Sequence, residues 1–563
     1  MLKLSTFPFK TLKTLPKVSD NKSTSLLLQG GYIRQCMAGA YEYLPIGHRV
    51  QRNIENIVRE EMDNAGYHEM LMTILTPREL WETTNRWDIP EYFKVPGWGT
   101  SEFRIAPTNE ENVTSIFKEF IQSYKDLPTC VYHIQKKFRN EKRAKSGLLR
   151  GREFIMKDAY SFHANIEDFE VFYENIKEVY MRVFERLGIG ADTVIADADG
   201  GAISDKNSHE FQTFIGIGED TIVQDSSGYS YNLELASGIA DTKNLEEDTH
   251  SLEYVDTIDD IASMEKMTSY FDAPAWQMLK TVVYKTKSGK FFSIIIRGDL
   301  EVNEIKVRKF VAKRYNEEFA LATEEDLISL GSVRGFVTPL KSAGLKIENF
   351  GDESLSSAKN YFGGANALAK STKNVNITDL DIIEFSDFNE PILGFTSRNV
   401  LGEKLTFRKA CEVGNIFHLG EKYSKPFGLS YSDENNNTIS RVEMGCYGIG
   451  VSRLMGILAE YFMTESGIAW PESVAPAEYY IIVLGEENIA GATLLAQSLE
   501  KEGKTVILDD RMGGKFGFGQ KATDCDLWGI PNRIVISPKT LEKGGYELKN
   551  RNQSEGEIIS YSF

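Results

Sequence analysis

RNEKRAKSGLLRGREF (139–154) concentrates positive charge in a chain that is acidic overall. This stretch holds six cations and two carboxylates, whereas the whole chain has 82 Asp and Glu residues against 64 Lys and Arg residues. Apolar segments at TCVYHIQKKF (129–138) and EFIMKDAYSF (153–162) flank it and have the composition of strands. Because the two segments lie close in sequence, we predict antiparallel neighbours joined by a cationic loop.

The loop also has the composition of a nucleotide site. A guanidinium group can donate two parallel hydrogen bonds to a phosphate, and Phe154 follows Arg152 at a distance of two residues, where its ring can stack on a base. A solvated basic loop is the simpler alternative. The apolar strands that lead into and out of the loop favour a binding site.

Length and composition limit the class of protein. At 563 residues the chain is too long for one hydrophobic core, so several domains are expected. A net charge of −18 argues against non-specific coating of nucleic acid. Five scattered cysteines without a CxxC spacing disfavour a zinc site and a disulfide framework. Without a secretory signal or a long apolar run, we expect a soluble, cytoplasmic protein with no membrane partner.

Periodic patterns divide the rest of the chain into regions. Apolar spacing predicts helices over 48–66 and 165–188 and a strand over 70–77. From about 239 to 400 the chain is acidic and loop-rich, as in ESLSSAKNYFGGANALAKSTKN, with a hairpin at KTVVYK and KFFSIIIRG. After 476, the segments YYIIVLG, AGATLLAQSLEKEG, KTVILDD and IPNRIVIS predict a strand, a helix and two strands in a compact α/β domain.

A glycine-rich turn precedes another predicted helix at GCYGIGVSR (445–453). Glycines permit close approach of the backbone to a ligand, although helix packing alone explains such a turn about as well.

Together these segments resemble the three signature motifs of class II aminoacyl-tRNA synthetases. GYHEMLMTILTP (66–77) is similar to motif 1, a helix–strand element at the dimer interface, FRNE (138–141) with GREF (151–154) to motif 2, and GIGVSR (448–453) to motif 3. Further segments extend the resemblance over essentially the whole chain, to prolyl-tRNA synthetases of the bacterial type: APTNEE (106–111), REFIMKDAYSFH (152–163), SHEF (208–211), RGDLEVNEIK (297–306), EVGNIFHLG (412–420), MGCYGIGVSR (444–453) and WPESVAP (470–476).

The resemblance implies a multidomain fold of α+β and α/β class. Its parts are a catalytic core built on an antiparallel sheet (1–238 and 401–475), an inserted editing-type α/β domain (239–400), and a C-terminal α/β anticodon-binding domain (476–563).

It also implies a site for ATP and Mg²⁺. Arg139 would hold the α-phosphate, Phe154 would stack on adenine, and Arg453 would grip the γ-phosphate. The full set of implied ATP residues is Arg139, Glu141, Arg152, Phe154, Glu412, His418 and Arg453, with Glu412 as the Mg²⁺ contact and His418 where the family usually has Gln.

The resemblance assigns the amino group of proline to Thr108 and Glu110, in a segment where the family's usual T-H-E-E is T-N-E-E. His163, Glu210 and Gly448 match other positions of the proline pocket; His163 taken singly would be a satisfied core histidine. The implied reaction is attack of the proline carboxylate on the α-phosphorus, followed by transfer of the prolyl group to tRNA(Pro). No protein nucleophile is required, and Cys446 is interpreted as a packed thiol.

The insert matches an editing domain that hydrolyses alanyl-tRNA(Pro), since alanine is too small to be excluded by size. The candidate editing residues are Lys280, Gly331, Gly335 and Asn360. Phe336 replaces the proline of the family's GxxGP loop, and Asn360 stands where a histidine is expected. Both an active editing domain and a scaffold that no longer edits therefore remain open.

The C-terminal domain resembles an anticodon-binding domain, with Arg511, Lys515, Lys521 and Arg533 as candidate RNA contacts. The implied partners are proline, ATP, tRNA(Pro) and a second copy of the chain. Three alternatives were weighed: an inactive RNA-binding or regulatory relative, a stand-alone editing hydrolase, and a ligase for threonine or glycine. Retention of Arg139, Glu141, Phe154 and Arg453 disfavours the first two, and the insert disfavours the third.

Overall fold

The computed structural model describes residues 1–16, 21–201, 203–204, 206, 208–258 and 261–561. The chain forms two compact units. The first comprises Met1–Ile195, Gly200–Glu219 and Ala410–Phe563, and the second comprises Ala196–Asp199 and Asp220–Lys409. The second unit contains the predicted insert and extends beyond it at both ends, while the C-terminal region belongs to the first unit.

An antiparallel sheet forms the centre of the first unit. The predicted strand pair is confirmed as Thr129–Phe138 and Glu153–His163, in antiparallel register with Phe138 opposite Glu153, so the cationic loop joins neighbours. In spatial order the strands are Ser208–Phe214, Thr406–Gly420, Glu443–Ile449, Glu153–His163, Thr129–Phe138 and, parallel to the last, His68–Glu69. Thr193–Ala198 lies beside Ser208–Phe214.

Helices cover one face of this sheet. Their apolar residues recur at helical spacing and join a single buried cluster with alternate residues of the strands. The predicted helix 48–66 is Pro45–Asn64, which begins earlier because proline fits the first helical position. The helices that supply this cluster are Lys22–Gln29, Pro45–Asn64, Ile166–Arg186 and Val451–Tyr461. Glu110–Phe120 packs instead in the apolar cluster of the other face, and Arg78–Thr83 is the remaining helix of this part.

The predicted strand 70–77 is only partly confirmed. Leu75–Pro77 is a strand, but residues 70–74 are not. Side chains bond two of the carbonyls there, since Gln135 donates to the Met72 carbonyl at 2.8 Å and Asn109 donates to the Thr73 carbonyl at 3.3 Å, whereas the Ile74 carbonyl accepts from the Ala106 backbone N–H at 2.8 Å. Small sheets complete this region: Leu75–Pro77 with Glu102–Ile105 and Lys94–Pro96, Ile33–Met37 with Ala40–Tyr43, and Tyr431–Ser432 with Thr438–Ile439.

The C-terminal part of the first unit is a six-stranded mixed sheet with helices, as predicted. Its strands in spatial order are Leu2–Lys3, Val506–Asp509, Tyr479–Val483, Asn532–Ile536, Gly545–Asn550 and Glu557–Ser560, and its helices are Ile489–Lys501, Phe518–Leu527 and Pro538–Glu542. The strand at Leu2–Lys3 runs parallel to Val506–Asp509.

The second unit is also α/β. The predicted hairpin is confirmed as Leu279–Thr286 with Phe291–Arg297, at the centre of a sheet with Phe319–Leu321, Glu348–Asp352 and Glu384–Ser386. The remaining strands are Glu253–Asp256, Lys370–Val375 and Tyr361–Gly364 in one sheet, and Asp220–Gln224 with Ser230–Asn232. The helices are Met264–Phe271, Glu304–Arg314 and Glu324–Ser329.

One region that was expected to be loop-rich contains two of these strands. Tyr361–Gly364 and Lys370–Val375 pair in the stretch that was interpreted as loops because of its Gly, Ser and Asn residues. Close packing requires a glycine at position 364, since a Cβ there would lie 2.1 Å from the Phe336 carbonyl oxygen. Among all described residues, no helix is both long and apolar enough to cross a membrane.

Candidate active site

A cavity of about 220 Å³ lies on the face of the antiparallel sheet opposite the long helices. It brings together seven of the residues implied by the resemblance: Thr108, Arg139, Glu141, Phe154, Glu412, Gly448 and Arg453. Residues that the resemblance did not single out complete the lining: Leu148, Leu149, Arg150, Gly151, Met156, Asp158, Ile203, Val413, Gly414, Asn415, Phe417, Cys446 and Gly450. Among the described residues, no group of three or more His, Cys, Asp or Glu side chains could hold a metal ion.

Three arginines line the cavity, and they differ in their hydrogen-bond and ion-pair partners. Arg453 donates to a Glu412 carboxylate oxygen at 2.8 Å and to the Leu149 carbonyl at 2.8 Å. Arg150 donates to Glu141 at 3.0 Å. The Arg139 guanidinium stacks at 5.2 Å over the Phe154 ring and has no carboxylate partner within the described part of the chain. An incoming phosphate can therefore bind Arg139 without displacing a carboxylate, unlike at Arg150 and Arg453.

Arg152 does not line the cavity. Its guanidinium donates to the Glu141 carbonyl at 3.0 Å and to the Ala38 carbonyl at 2.9 Å. The side chain therefore joins the cationic loop to the turn before Ala40, and its implied contact with ATP stays a prediction.

Thr108 and Glu110 are bonded to each other at the cavity wall. Thr108 lines the cavity, whereas Glu110 is fully buried behind it. The Thr108 hydroxyl lies 2.7 and 2.8 Å from the two Glu110 oxygens, and Arg86 donates to the same carboxylate at 3.2 Å. Glu110 begins the helix Glu110–Phe120, whose N-terminus favours negative charge.

Asp158 is a cavity residue that the resemblance did not assign. It is 1% exposed, and it accepts a hydrogen bond from Tyr160 at 2.5 Å and lies 3.1 Å from Lys137. Burial alone would raise the pKa of Asp158, but Lys137 and His133 hold it well below its usual range. A signal existed in the sequence, because Asp158 lies two positions after Met156 and four after Phe154 and therefore shares their face of the strand.

The same alternation places two of the implied residues on the other face of the sheet. His163 and His418 lie on the helix-covered face, where both rings contact the Phe169 ring. His163 contacts Asp168 at 3.0 Å and Ser161 at 2.8 Å, and His418 contacts Glu443 at 3.0 Å. Neither histidine lines the cavity. Their implied contacts with proline and ATP therefore stay predictions, and His163 has the internal partners expected of a satisfied core histidine.

Glu210 contacts a residue of the cavity wall, and Cys446 is itself part of that wall. Glu210 accepts a hydrogen bond at 3.3 Å from Asn415, which lines the cavity. Cys446 lines the cavity and its thiol donates to Glu110 at 3.2 Å. Burial raises the pKa of the Cys446 thiol, as expected for a packed thiol and not for a nucleophile.

In the second unit, the candidate editing side chains have internal partners. Lys280 binds Glu301 and donates to the Leu300 carbonyl at 3.3 Å. The Asn360 side chain accepts from the His250 backbone N–H at 3.0 Å and donates to the Asp248 carbonyl at 2.9 Å. Gly331 and Gly335 have positive φ values of 80° and 83°, and Phe336 is buried in an apolar cluster. Asn360 therefore joins backbone segments in the place expected for a histidine.

The four candidate RNA contacts divide into two pairs. Lys521 is fully buried and donates to the Val483 and Asp509 carbonyls at 2.7 and 3.0 Å. Arg511 binds Asp509 and Asp524, so these two cations have partners inside the domain, and their contact with RNA stays an untested prediction. Lys515 is exposed, and Arg533 lies 3.8 Å from Asp526, which leaves both available to a phosphate.

Comparison with known proteins identifies this arrangement. Residues 93–462 match the family described as the tRNA synthetase class II core domain (G, H, P, S and T), and residues 478–562 match the anticodon binding domain family. A proline–tRNA ligase of Bacillus subtilis is 39% identical over 98% of this chain and 96% of its own length. One from Caldicellulosiruptor saccharolyticus is 37% identical over 98% and 96%. The chain belongs to the proline–tRNA ligase family.

Solved structures agree with the fold of this ligase family. A crystal structure of prolyl-tRNA synthetase from Cryptosporidium parvum, complexed with L-proline and AMP, superposes with a TM-score of 0.55 at 13% identity, over 98% of this chain and 74% of that chain. The fold is therefore that of a class II synthetase core with an anticodon-binding domain. The cationic hairpin and the glycine-rich turn that suggested the family are both among the segments that line the cavity.

Proposed function

We propose that the chain is a proline–tRNA ligase that activates proline with ATP and transfers it to the 3′ end of tRNA(Pro). The observation that carries the proposal is the arrangement of one cavity. Arg139, Arg453 and Phe154 supply a phosphate and base site, and the threonine and carboxylates around Thr108 supply a site for a small cationic amino group.

Catalysis on this proposal is positional and electrostatic. Proline lies with its amino group near Thr108 and its carboxylate toward Arg139, so that the carboxylate attacks the α-phosphorus of ATP in line. Arg139 stabilises the charge that develops on the α-phosphate, and Arg453 holds the pyrophosphate that leaves. The terminal ribose hydroxyl of the tRNA then attacks the activated carbonyl and releases AMP.

Mg²⁺ fits the cavity as an ion shared with the nucleotide. Mg²⁺ is usually bound by one or two carboxylates, phosphate oxygens and water, and Glu412 is a carboxylate on the cavity wall near Arg453. When bound there, the ion would neutralise charge on the departing pyrophosphate.

The proposal includes tRNA(Pro) and a second copy of the chain as partners. Lys515 and Arg533 are its anticodon-domain candidates for phosphate contacts. For the homodimer, the motif 1 segment offers apolar side chains, since Leu71 is 77% exposed and Leu75 is 51% exposed.

The test is ATP–pyrophosphate exchange with proline, alanine and threonine, followed by charging of tRNA(Pro). Exchange that depends on proline, together with formation of prolyl-tRNA, supports the proposal. An absence of exchange with every amino acid would instead favour an inactive RNA-binding relative.

A further inference from the structure

The N-terminal arm, residues 1–16, is a basic segment in an acidic protein. It contains Lys3, Lys10 and Lys13 and no carboxylate, whereas the whole chain has a net charge of −18. The next helix begins at Lys22. Lys10, Lys13 and Lys22 are exposed and form no ion pair with a described residue. These three cations are therefore available to an anion outside the chain.

The arm is fixed to the C-terminal domain by its backbone and its hydroxyl groups. Leu2–Lys3 pairs with an edge strand of the C-terminal sheet. The Ser5 hydroxyl donates to Asp510 at 2.8 Å, and the Thr11 hydroxyl donates to Asp524 at 2.7 Å. The two carboxylates nearest to the arm are thus bonded to its neutral side chains and not to its lysines.

A solvated basic segment is the simpler interpretation of such a sequence. A solvated lysine is free to pair with a nearby carboxylate, although a pair of this kind contributes little to stability. Asp524 binds Thr11, the residue next to Lys10, yet its cationic partner is Arg511 from its own domain. The positive charge of the arm is therefore left uncompensated beside carboxylates that could have neutralised it.

The arm connects the C-terminal domain to the catalytic core. The Leu12 backbone N–H donates to the Gln29 carbonyl at 2.8 Å, at the end of the helix Lys22–Gln29. Thr24 of this helix lies against the cationic loop, since a Cβ on Gly147 would lie 2.1 Å from the Thr24 hydroxyl oxygen. The exposed lysines thus lie where the arm and its helix pass from the C-terminal domain to the loop that lines the cavity.

We propose that Lys10, Lys13 and Lys22 contact the phosphate backbone of the bound tRNA. This inference rests on the proposed function, in which one tRNA places its anticodon at the C-terminal domain and its 3′ end in the cavity. Such an RNA spans the same two parts of the molecule as the arm. Contacts between lysines and phosphates add affinity and fix orientation without reading the sequence of the RNA.

These contacts have a signature in the salt dependence of binding. Each phosphate that a lysine neutralises releases counterions, so the logarithm of the binding constant falls with the logarithm of the salt concentration, with a slope of roughly 0.7–0.9 per contact. Removal of a lysine that contacts a phosphate reduces the slope by about 1. A lysine that is only solvated leaves the slope unchanged.

The experiment measures the binding of tRNA(Pro) at several salt concentrations by the full-length wild type and by the triple variant Lys10→Gln, Lys13→Gln and Lys22→Gln. We expect the variant to bind about tenfold more weakly at low salt, with a slope smaller by about 2 to 3. An unrelated tRNA should show the same loss, because phosphates carry no sequence information. Proline-dependent ATP–pyrophosphate exchange without tRNA should equal that of the wild type.

The matched control is the triple variant Lys285→Gln, Lys287→Gln and Lys370→Gln. These lysines are also exposed, but each is paired with a carboxylate of the second unit. The control loses the same formal charge as the arm variant, so it measures the effect of net charge alone. Its salt dependence of tRNA binding should equal that of the wild type.

An unchanged slope in the arm variant, or an equal loss in the control variant, overturns the inference. A loss confined to tRNA(Pro) also overturns it, because the lysines would then read bases. Failure of the proposed function is a separate result, in which the wild type shows no proline-dependent exchange whatever its affinity for RNA.

Discussion

Arg453 Nη1 lies 2.8 Å from Glu412 Oε2 in the cavity wall. A cation and an anion that are both expected to contribute to ATP binding therefore form an ion pair with each other. Both side chains are a little over one quarter exposed, which leaves the pair accessible to a competing phosphate. Binding of a triphosphate should therefore exchange the carboxylate for phosphate oxygens around Arg453 and free Glu412 for Mg²⁺.

Substitution of Glu412 tests this exchange. In Glu412→Gln the arginine loses its charged competitor, so the KM for ATP should stay the same or fall. The Mg²⁺ concentration for half-maximal exchange should rise several-fold, because a neutral amide is a poorer ligand for a hard cation. Titration of Mg²⁺ at fixed ATP measures this, and an unchanged requirement would remove Glu412 from the metal site.

Arg139→Ala should lower proline-dependent exchange by orders of magnitude. The guanidinium stacks on Phe154 and has no internal carboxylate partner among the described residues, so its loss should leave the fold unchanged. Exchange rates together with thermal unfolding separate the two effects. Near-normal exchange in a folded variant would contradict the assigned role.

Gly448→Ala should narrow the cavity without disturbing the fold. A Cβ at this position would lie 3.7 Å from Met156 Sδ and 3.9 Å from the Asn415 carbonyl oxygen, both ordinary contacts with cavity residues. We expect the KM for proline to rise about tenfold while the unfolding temperature stays the same. A wild-type KM would place the amino acid elsewhere.

Lys157 gives a prediction for stability against pH. It is fully buried on the helix-covered face, bonded to Tyr180 and to the Tyr447 carbonyl, and burial lowers its pKa to about 7 from 10.5. Between these values the unfolded chain binds a proton that the folded chain does not, so stability rises with pH from about 7 to 10.5. Lys157→Met should reduce this rise, as measured by denaturant unfolding at several pH values. If the free energy of unfolding has the same pH dependence in the variant and the wild type, Lys157 carries the same charge in the folded and unfolded chains over this range.

The insert should not accelerate hydrolysis of alanyl-tRNA(Pro). Lys280 is paired with Glu301, and Asn360 uses its side chain to join backbone segments in place of the expected histidine. Deacylation by the wild type and by Lys280→Ala should therefore be equal and no faster than the rate without protein. Rapid deacylation that is lost in Lys280→Ala would instead establish editing.

Local sequence patterns predicted the sheet and its hairpins well, because strand alternation and helical spacing are set by burial. The strands 129–138 and 153–162 and the helix 165–188 agree with Thr129–Phe138, Glu153–His163 and Ile166–Arg186 within a few residues. The segment 353–374 was misjudged, since glycines that usually mark loops serve there for close packing of strands.

The site was predicted less completely than the fold. Motif matching found the cavity arginines but gave no information on which face of a strand each side chain occupies. His163 and His418, which were predicted near proline and ATP, lie on the helix-covered face. Asp158, which lines the cavity, was overlooked. Lys521 and Arg511 were proposed as RNA contacts because the sequence shows that they are charged. It does not show that a backbone carbonyl and a carboxylate inside the domain bind them.

The pairing of Leu2–Lys3 with Val506–Asp509 closes a very long loop of chain. Ser5 is bonded through its backbone N–H to Asp510, 505 positions away. During synthesis these early residues leave the ribosome long before their partner strand exists. This edge of the sheet can therefore form only after the residues between the two strands have been synthesised.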